Sequence, residues 1–329
     1  MNKHINQKKI LVFINDAGAS AYICSIILKE INDFNWKVYA ISNSPASKEL
    51  EKNKIFYKKF FSLDKINEII QKENPNVVFY GTGWMNFSGV VKESTKKSNI
   101  KIFALIDHWV GYQLRFLKDC LPDVILVTDN VAKKKAESIF NSKVHIFQIK
   151  NYYLENIRYN YLLSNSKIKD RVVFISEPTK VKQNVLDFNK FEYDFLEDIL
   201  KIFNKVIIRL HPTEHKEKYN EIISKFINKN IKVIEPYEES LATTLSKSKL
   251  TIGIESTALY TSYLLGIKTI SYIPNKYKEP SIPLPKKYIL TNLKKLKEIN
   301  FSIPQQKKLN YKVKTFYEIV NLFLKKKGY

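Results

Sequence analysis

The chain has 329 residues, of which 44% are hydrophobic, and a formal net charge of +23. This length allows two domains of ordinary size, and the apolar content supports real hydrophobic cores, which excludes a disordered chain. Because lysine, asparagine and isoleucine are abundant throughout, the charge indicates a solvated basic surface first and contact with anionic lipid headgroups second; no recognisable nucleic-acid module is present, so no nucleic-acid partner is expected.

The first half of the chain alternates apolar strand runs with helical patterns, which is typical of parallel βαβ units. Strands are predicted at residues 10–14, 38–41, 77–80, 101–106, 124–127 and 144–146, and helices near residues 21–31, 63–73 and 88–98. The segment 151–169 breaks the alternation and is predicted as a helix followed by a linker.

The alternation restarts at residue 171 and predicts a second α/β domain. Strands are predicted at residues 172–175, 206–210, 232–234, 250–254 and 269–272, with helices near residues 191–203, 219–228, 240–246 and from 258. We therefore divide the chain into domains at residues 1–160 and 161–305. Neither domain contains a G-x-G-x-x-G or a Walker A pattern, which argues against dinucleotide oxidoreductases and P-loop enzymes.

Polar side chains follow the predicted strands of the second half. His211 and Pro212 follow one strand, and Glu255, Ser256 and Thr257 follow another and precede a helix of small residues. A helix start of this kind directs free backbone N–H groups and a positive dipole end at one point, which favours an anion such as a phosphate. Plain helix capping by the Ser/Thr pair and strand capping by the histidine are the simpler alternatives. Further candidates at this edge are Arg209, Ser176 and Tyr237.

The strand ends of the first half carry candidates for acid–base chemistry. Asp107 follows a strand directly, so its carboxylate can deprotonate a hydroxyl group, and His108 beside it can do the same. Asp16 is a rival base after the first strand. We expect the remaining candidates to contact the acceptor or an anionic group of the substrate: Gly18, Thr82, Gly83, Tyr112 and Arg115.

Residues 306–329 are predicted to form a C-terminal amphipathic helix. Apolar residues recur every three or four positions, with lysines at both ends. One interpretation is a helix that crosses back and packs at the domain junction. The other is a basic helix that lies on a membrane surface.

Cysteine content and hydropathy indicate the compartment. The two cysteines, Cys24 and Cys120, cannot form a disulfide framework, and no pattern resembles a metal-ligand set. The N-terminus is polar, and no apolar run reaches the ~18 residues of a membrane span. We therefore expect a cytoplasmic protein that needs no metal or other cofactor.

The His-Pro pair and the Ser/Thr pair within two α/β halves resemble the GT-B glycosyltransferases that use CMP-activated acidic sugars. The nearest group comprises the bacterial sialyltransferases, polysialyltransferases and capsule Kdo transferases, and the resemblance covers mainly residues 170–275. It implies a GT-B fold, in which two Rossmann-like domains with parallel sheets face a central cleft. It also implies that His211, Ser256 and Thr257 contact the phosphate of CMP. The acidic-acidic-Gly motif that carries this group's base is absent here, and Asp107 with His108 lies in a comparable region.

The resemblance implies an inverting, metal-independent glycosyltransferase. The donor would be CMP-activated sialic-acid-like nonulosonic acid or Kdo, and the acceptor a glycan or glycolipid of the capsule or lipopolysaccharide. A basic surface would suit peripheral contact with the anionic inner face of the plasma membrane.

Three alternatives remain open at this stage. The CDP-glycerol and CDP-ribitol phosphotransferases are similar in the second half and would use His108 and His211. A UDP-sugar GT-B enzyme would hold the ribose with a carboxylate such as Glu255. The third alternative is a non-catalytic, basic GT-B-like binding protein, which would not need the His-Pro pair or the Ser/Thr pair.

Overall fold

The computed structural model describes residues 7–83, 87–117, 119–164, 169–178, 188–273, 281–292 and 313–324. The chain divides into two compact units. Unit 1 comprises Met1–Glu155 with Asn310–Tyr329, and unit 2 comprises Asn156–Leu309.

Unit 1 is an α/β layer around a seven-stranded parallel sheet in the order β3-β2-β1-β4-β5-β6-β7. The order reverses between β1 and β4, so a crevice opens beyond the carboxyl ends of these two strands. The strands are β1 (Lys9–Ile14), β2 (Asn35–Ile41), β3 (Lys58–Phe60), β4 (Val77–Gly81), β5 (Lys101–Ile106), β6 (Val124–Val127) and β7 (His145–Gln148). The helices are α1 (Ala17–Lys29), α2 (Pro45–Lys52), α3 (Lys65–Glu73), α4 (Phe87–Thr95) and α5 (Asn130–Phe140), and α6 (Tyr152–Leu163) runs from unit 1 into unit 2.

Unit 2 contains a six-stranded parallel sheet in the order β10-β9-β8-β11-β12-β13, which reverses between β8 and β11. Its strands are β8 (Arg171–Ile175), β9 (Lys205–Arg209), β10 (Asn230–Ile234), β11 (Ser248–Gly253), β12 (Thr269–Tyr272) and β13 (Ile289–Leu290). Its helices are α7 (Phe188–Ile202), α8 (Asn220–Ser224), α9 (Leu241–Ser246) and α10 (Thr257–Leu264). Two parallel sheets of Rossmann-like order confirm the predicted α/β class.

Two central strands of unit 1 contain uninterrupted runs of apolar residues, as expected where helices cover both faces of a parallel sheet. In β1 every residue from Ile10 to Ile14 is fully buried, and β6 is buried along its whole length. Such runs leave polar side chains no place within the strands, so polar groups collect where the strands end.

The C-terminal helix α11 (Phe316–Leu324) returns to unit 1, which confirms that the chain crosses back. Phe316 is fully buried and stacks on Phe79, with 4.7 Å between ring centroids. Ile319 and Val320 are also fully buried, so the apolar stripe forms part of the core of unit 1 and cannot at the same time face a membrane. Residues 306–312 of the predicted helix lie outside the described residues. Within the described part of the chain, no helix has the length and apolarity to cross a bilayer.

The first half differs from the sequence prediction at the start of α1 and in three elements that were not predicted, α2, β3 and α5. Helix α1 begins at Ala17, directly after Asp16, whereas the pattern predicted a loop up to residue 20. Small residues in this first turn allow close packing, since a Cβ added at Gly81 would lie 2.7 Å from the Cβ of Ala19. Helix α2 and the edge strand β3 were not predicted, because three-residue strands give no clear period.

The buried carboxylate of Glu30 caps α11. Its two oxygens accept hydrogen bonds from the backbone N–H groups of Phe316 at 3.0 Å and Tyr317 at 2.7 Å. Glu30 is only 3% exposed, and burial raises its pKa from 4.5 to about 7, although these hydrogen bonds and that of Tyr152 lower it. The helix end is therefore linked to a proton equilibrium near neutral pH.

We expect Glu30 to make the protein less stable as the pH rises from about 4.5 to about 7. In this window the folded state holds a proton that the unfolded chain has released, so the free energy of unfolding falls with pH and then levels off. Thermal unfolding between pH 4.5 and 8 should show a smaller fall for Glu30→Gln than for the wild type. Glu68→Gln, at an exposed glutamate of α3, is the control. An unchanged slope in Glu30→Gln would contradict the prediction.

Candidate functional site

Three polar residues and one glycine of unit 1 lie at the carboxyl ends of β1, β4 and β5. Asp16 follows β1 and is the N-cap residue of α1, and Thr82 and Gly83 follow β4. Asp107 follows β5, which pairs with β4. The switch-point crevice thus brings together residues from three of the predicted strand ends.

Asp107 is buried but incompletely hydrogen-bonded. The residue is 3% exposed, and its Oδ1 atom has no hydrogen-bond partner among the described residues. The Arg115 guanidinium lies 3.8 Å from Oδ1, and His108 Nε2 lies 3.7 Å from Oδ2. Both distances exceed those of a hydrogen bond. An unsatisfied buried carboxylate oxygen is costly, so this atom is suited to accept a hydrogen bond or a proton from a ligand.

Two glycines make room for the carboxylates. A Cβ at Gly18, in the first turn of α1, would lie 2.2 Å from Asp107 Oδ2. A Cβ at Gly83 would lie 1.5 Å from Asp16 Oδ2. A side chain at either position would therefore have to displace a carboxylate. The sequence placed Gly18 and Gly83 near a ligand, and the structure places them against Asp107 and Asp16.

Arg115 and Tyr112 support this crevice from a short 3₁₀ turn. Arg115 donates from Nη1 to the carbonyl oxygen of Thr82 at 3.1 Å and from Nε to that of Val110 at 3.3 Å. Tyr112 is 1% exposed, and burial raises its pKa. Tyr112 is thus a core residue, and Arg115 joins the loops after β4 and β5.

In unit 2 the crevice between β8 and β11 is spanned by a carboxylate. Glu177, which follows β8, accepts a hydrogen bond from the backbone N–H of Glu255, which follows β11. Glu255 Oε2 in turn accepts from the N–H and the hydroxyl of Ser281, at 3.0 and 2.9 Å. Both glutamates are 6% exposed. Their oxygens therefore hold the two strand ends and the loop at Ser281 together.

Helix α10 begins at this crevice. Ser256 is its N-cap residue, and its hydroxyl accepts from the N–H of Leu259 at 3.2 Å. The preceding N–H groups, of Thr257 and Ala258, have no partner in the part of the chain that the structure describes. Ser256 thus has the capping role that was one sequence alternative, and the helix still presents two N–H donors and the Thr257 hydroxyl to an anion.

His211 lies at the end of β9, on the other side of β8. Its Nδ1 atom is 3.3 Å from the backbone N–H of Thr213, which donates to it, and 2.8 Å from the Thr213 hydroxyl. Because Nδ1 accepts a hydrogen bond, the neutral imidazole carries its proton on Nε2. In this tautomer the Nε2–H group is a hydrogen-bond donor.

A buried network behind His211 was missed by the sequence analysis. Lys218 Nζ donates to Glu192 at 2.6 Å, to Glu214, to the carbonyl oxygen of Glu177 at 2.8 Å and to Ser176 at 3.2 Å. Glu214 Oε2 also accepts from the backbone N–H of His211 at 2.7 Å. Burial raises the pKa of Glu192, while Lys218 lowers it. The Glu214–Lys218 spacing of four residues after His-Pro was the available signal.

The other predicted donor residues lie close by with different contacts. Ser176 is 1% exposed and donates to Glu214 at 2.6 Å, so it belongs to the Lys218 network. Arg209 donates to the carbonyl oxygens of Glu239 and Pro236 and to the Thr244 hydroxyl, at 2.8, 3.2 and 2.8 Å. Arg209 therefore fixes the loop after β10, in which Tyr237 is 38% exposed.

The fold is shared with enzymes of nucleotide sugars. A UDP-GlcNAc 2-epimerase from Methanocaldococcus jannaschii has a TM-score of 0.61 and 16% identity, with 97% of this chain and 99% of that chain covered. A UDP-GlcNAc 2-epimerase from Neisseria meningitidis, bound to UDP-GlcNAc, has a TM-score of 0.62 and 12% identity, with coverage of 80% and 82%. MurG from Acinetobacter baumannii has a TM-score of 0.50 and 10% identity, with coverage of 84% and 80%.

These similarities establish a fold of the GT-B type, with two Rossmann-like domains. At such low identity they establish nothing finer, and the sialyltransferase family is not confirmed. No family model and no curated protein match the sequence.

We predict that Gly18→Ala destabilises the wild type but stabilises an Asp107→Ala background. In the wild type, the new Cβ overlaps Asp107 Oδ2, an overpacking that costs about 1–3 kcal/mol. Without the carboxylate only helix propensity remains, which favours alanine by up to about 1 kcal/mol. Denaturant unfolding of the four proteins of this double-mutant cycle measures the coupling. Additive effects would show that Gly18 and Asp107 do not share this space.

We predict that Lys218→Met lowers stability by about 3–5 kcal/mol, because two buried carboxylates lose their cation. Without Lys218 the pKa of Glu192 rises further, so at low pH Glu192 takes up a proton and no longer carries a buried charge. The loss of stability should therefore be larger at pH 8 than at pH 5. The triple variant Lys218→Met, Glu192→Gln, Glu214→Gln should recover much of the loss. Urea unfolding at both pH values measures these differences, and an equal loss at pH 5 and pH 8 would contradict the argument.

Proposed function

We propose that the protein is an enzyme that acts on a nucleotide-activated sugar and that unit 2 binds the nucleotide, preferably a uridine nucleotide. The observation that carries the proposal is the start of α10 at the switch point. There, two backbone N–H donors, the Thr257 hydroxyl and the helix dipole adjoin Glu255, two strands from His211. The fold similarity supports the UDP-sugar alternative better than the CMP-sugar expectation.

In this proposal the phosphate groups accept hydrogen bonds from Thr257, Ala258 and His211 Nε2. The positive end of α10 would stabilise the charge that develops on the leaving nucleotide, so no metal is required. Glu255, held by Ser281, would accept a hydrogen bond from a ribose hydroxyl. Lys218 and Glu214 would position His211 through its backbone N–H.

Unit 1 would supply the acid–base group. Asp107 is the preferred candidate because its Oδ1 atom is buried and lacks a hydrogen-bond partner among the described residues. It would remove a proton from a sugar hydroxyl or from the reacting sugar carbon. His108, 3.7 Å from Oδ2, and Asp16 remain as rival bases.

A second candidate function is transfer of a sialic-acid-like sugar or Kdo from a CMP donor to a capsule or lipopolysaccharide glycan. It is favoured by the combination of His211-Pro212 with Ser256-Thr257 at two ends of one sheet. A CDP-alditol phosphotransferase would use the same contacts with His108. A non-catalytic basic protein is disfavoured because the polar strand ends carry buried carboxylates and not lysines.

A thermal-shift titration of the full chain with UMP, UDP, CMP and CDP, with and without magnesium, tests the proposal. We expect UDP to raise the midpoint most, independently of magnesium, because a ligand that binds only the folded state stabilises it by mass action. A preference for CMP would favour the sialyltransferase-like function, and a preference for CDP the phosphotransferase. No response to any nucleotide would refute a nucleotide site.

The variants His211→Ala and Thr257→Val should reduce the UDP-induced shift. Ser256→Ala has a matched control in Ser240→Ala, since Ser240 caps α9 with a similar bond to the N–H of Thr243 at 3.1 Å. Both lose about 1 kcal/mol of capping. Only Ser256→Ala should also reduce the shift caused by UDP. Equal shifts in these two variants would place the nucleotide away from α10.

A further inference from the structure

The crevice of unit 1 is acidic although the protein is strongly basic. Asp16, Asp107 and Asp129 follow β1, β5 and β6, and Arg115 and His108 lie beside Asp107. Both carboxylate oxygens of Asp129 already accept hydrogen bonds, one from the N-terminus of α5 and the other from Trp109 at 2.7 Å. With a net charge of +23 for the whole chain, a concentration of carboxylates at this strand edge is against the general trend.

The N-terminus of α1 has the geometry of an anion site, but the chain's own carboxylate lies there. Asp107 Oδ2 lies 2.2 Å from the position of a Gly18 Cβ, in the first turn of the helix. The carboxylate therefore lies beside the N-terminal turn of α1, where a helix favours negative charge. A phosphate or carboxylate from a ligand would have to approach this carboxylate closely, and like charges at such distances repel.

Arg115 does not reverse this preference. Its guanidinium donates to two backbone carbonyl oxygens and lies 3.8 Å from Asp107. Its side chain is 15% exposed, so little of it remains for a ligand. The sequence suggested that Arg115 binds an anionic substrate group, whereas these contacts favour a role in holding Asp107 and the loop at Thr82.

We infer that the unit 1 crevice binds an uncharged or ammonium-bearing sugar through its hydrogen-bond donors and excludes phosphate-bearing and carboxylate-bearing groups. The acceptor is Asp107 Oδ1, since Asp107 is only 3% exposed and this oxygen has no hydrogen-bond partner among the described residues. A hydroxyl or ammonium group satisfies this oxygen, and an anion cannot. The inference deepens the proposed function, on which it rests, because it specifies the sugar that the acid–base group meets.

The consequence is a restriction on the reaction. Acidic sugars and polyol phosphates also carry hydroxyl groups, but their carboxylate or phosphate groups would be repelled wherever they lay close to Asp107. Reaction at a neutral sugar or an amino sugar would bring a hydroxyl or an ammonium group. The crevice therefore favours the second kind of substrate.

Three monosaccharide probes of similar size and different charge test the inference on the full chain: glucosamine, glucose and glucuronate. Thermal shifts are measured at slightly acidic pH, where the amine is protonated. We expect glucosamine to raise the midpoint by about 2 °C or more at high millimolar concentration, glucose by less, and glucuronate not at all. Asp107→Asn should abolish the difference between the shifts caused by glucosamine and glucose. The control Asp64→Asn, at the residue that precedes α3, should retain this difference.

Each outcome decides the question. An equal or larger shift with glucuronate, no shift with any of the three sugars, or an unchanged preference in Asp107→Asn would overturn the inference. The UDP titration of the same proteins runs in parallel. Because the UDP shift depends on unit 2, its retention in Asp107→Asn shows that a failure here concerns the sugar class alone, whereas its absence in the wild type refutes the nucleotide site.

Discussion

The burial of carboxylates at the ends of parallel strands is the constraint on which both crevices depend. An ionised carboxylate in a dry environment costs several kcal/mol unless donors surround it. Unit 2 meets this cost with Lys218, which contacts both Glu192 and Glu214, and with the backbone N–H of Glu255 for Glu177. Unit 1 meets it only in part, because Asp107 has charged neighbours at 3.7 and 3.8 Å but no hydrogen bond to Oδ1 among the described residues. The Lys218 network of unit 2 therefore holds the strand ends in position, whereas Asp107 Oδ1 in unit 1 can still accept a hydrogen bond from a ligand.

This difference also explains why net charge is a poor guide to function in this protein. A charge of +23 suggests polyanionic partners, yet the residues at the strand ends are largely Asp and Glu. Lysines such as Lys65 and Lys96 make exposed pairs of small energetic value. The buried Lys218 is the exception, since it touches four acceptors and stabilises the strand ends that carry His211. Location, and not the number of charges, decides what a charged residue does.

The sequence predicted the fold class and most strands because buried parallel strands are continuous apolar runs, as in β1 and β6. It also placed Asp107, His211 and Ser256 at strand ends. It could not give the strand order, so it did not show that β8 lies between β9 and β11. The Glu192–Lys218 and Glu177–Glu255 contacts join residues 26 and 78 positions apart, and no local pattern encodes them. Gly18 was predicted to contact the acceptor, whereas the structure shows Asp107 in the space that a side chain at this position would occupy.

The two units share one topology, and the helix that begins at each switch point differs in what it offers. Both α1 and α10 point an N-terminus at a crevice, where an anion is favoured. At α1 the space is taken by Asp107, which lies where a Gly18 side chain would be. At α10 the cap is the neutral Ser256, and the N–H groups of Thr257 and Ala258 have no partner among the residues the structure describes. Under the proposed function, the same backbone geometry would therefore attract a phosphate in unit 2 and repel one in unit 1, so the nucleotide would bind to unit 2 and Asp107 would meet an uncharged or cationic group.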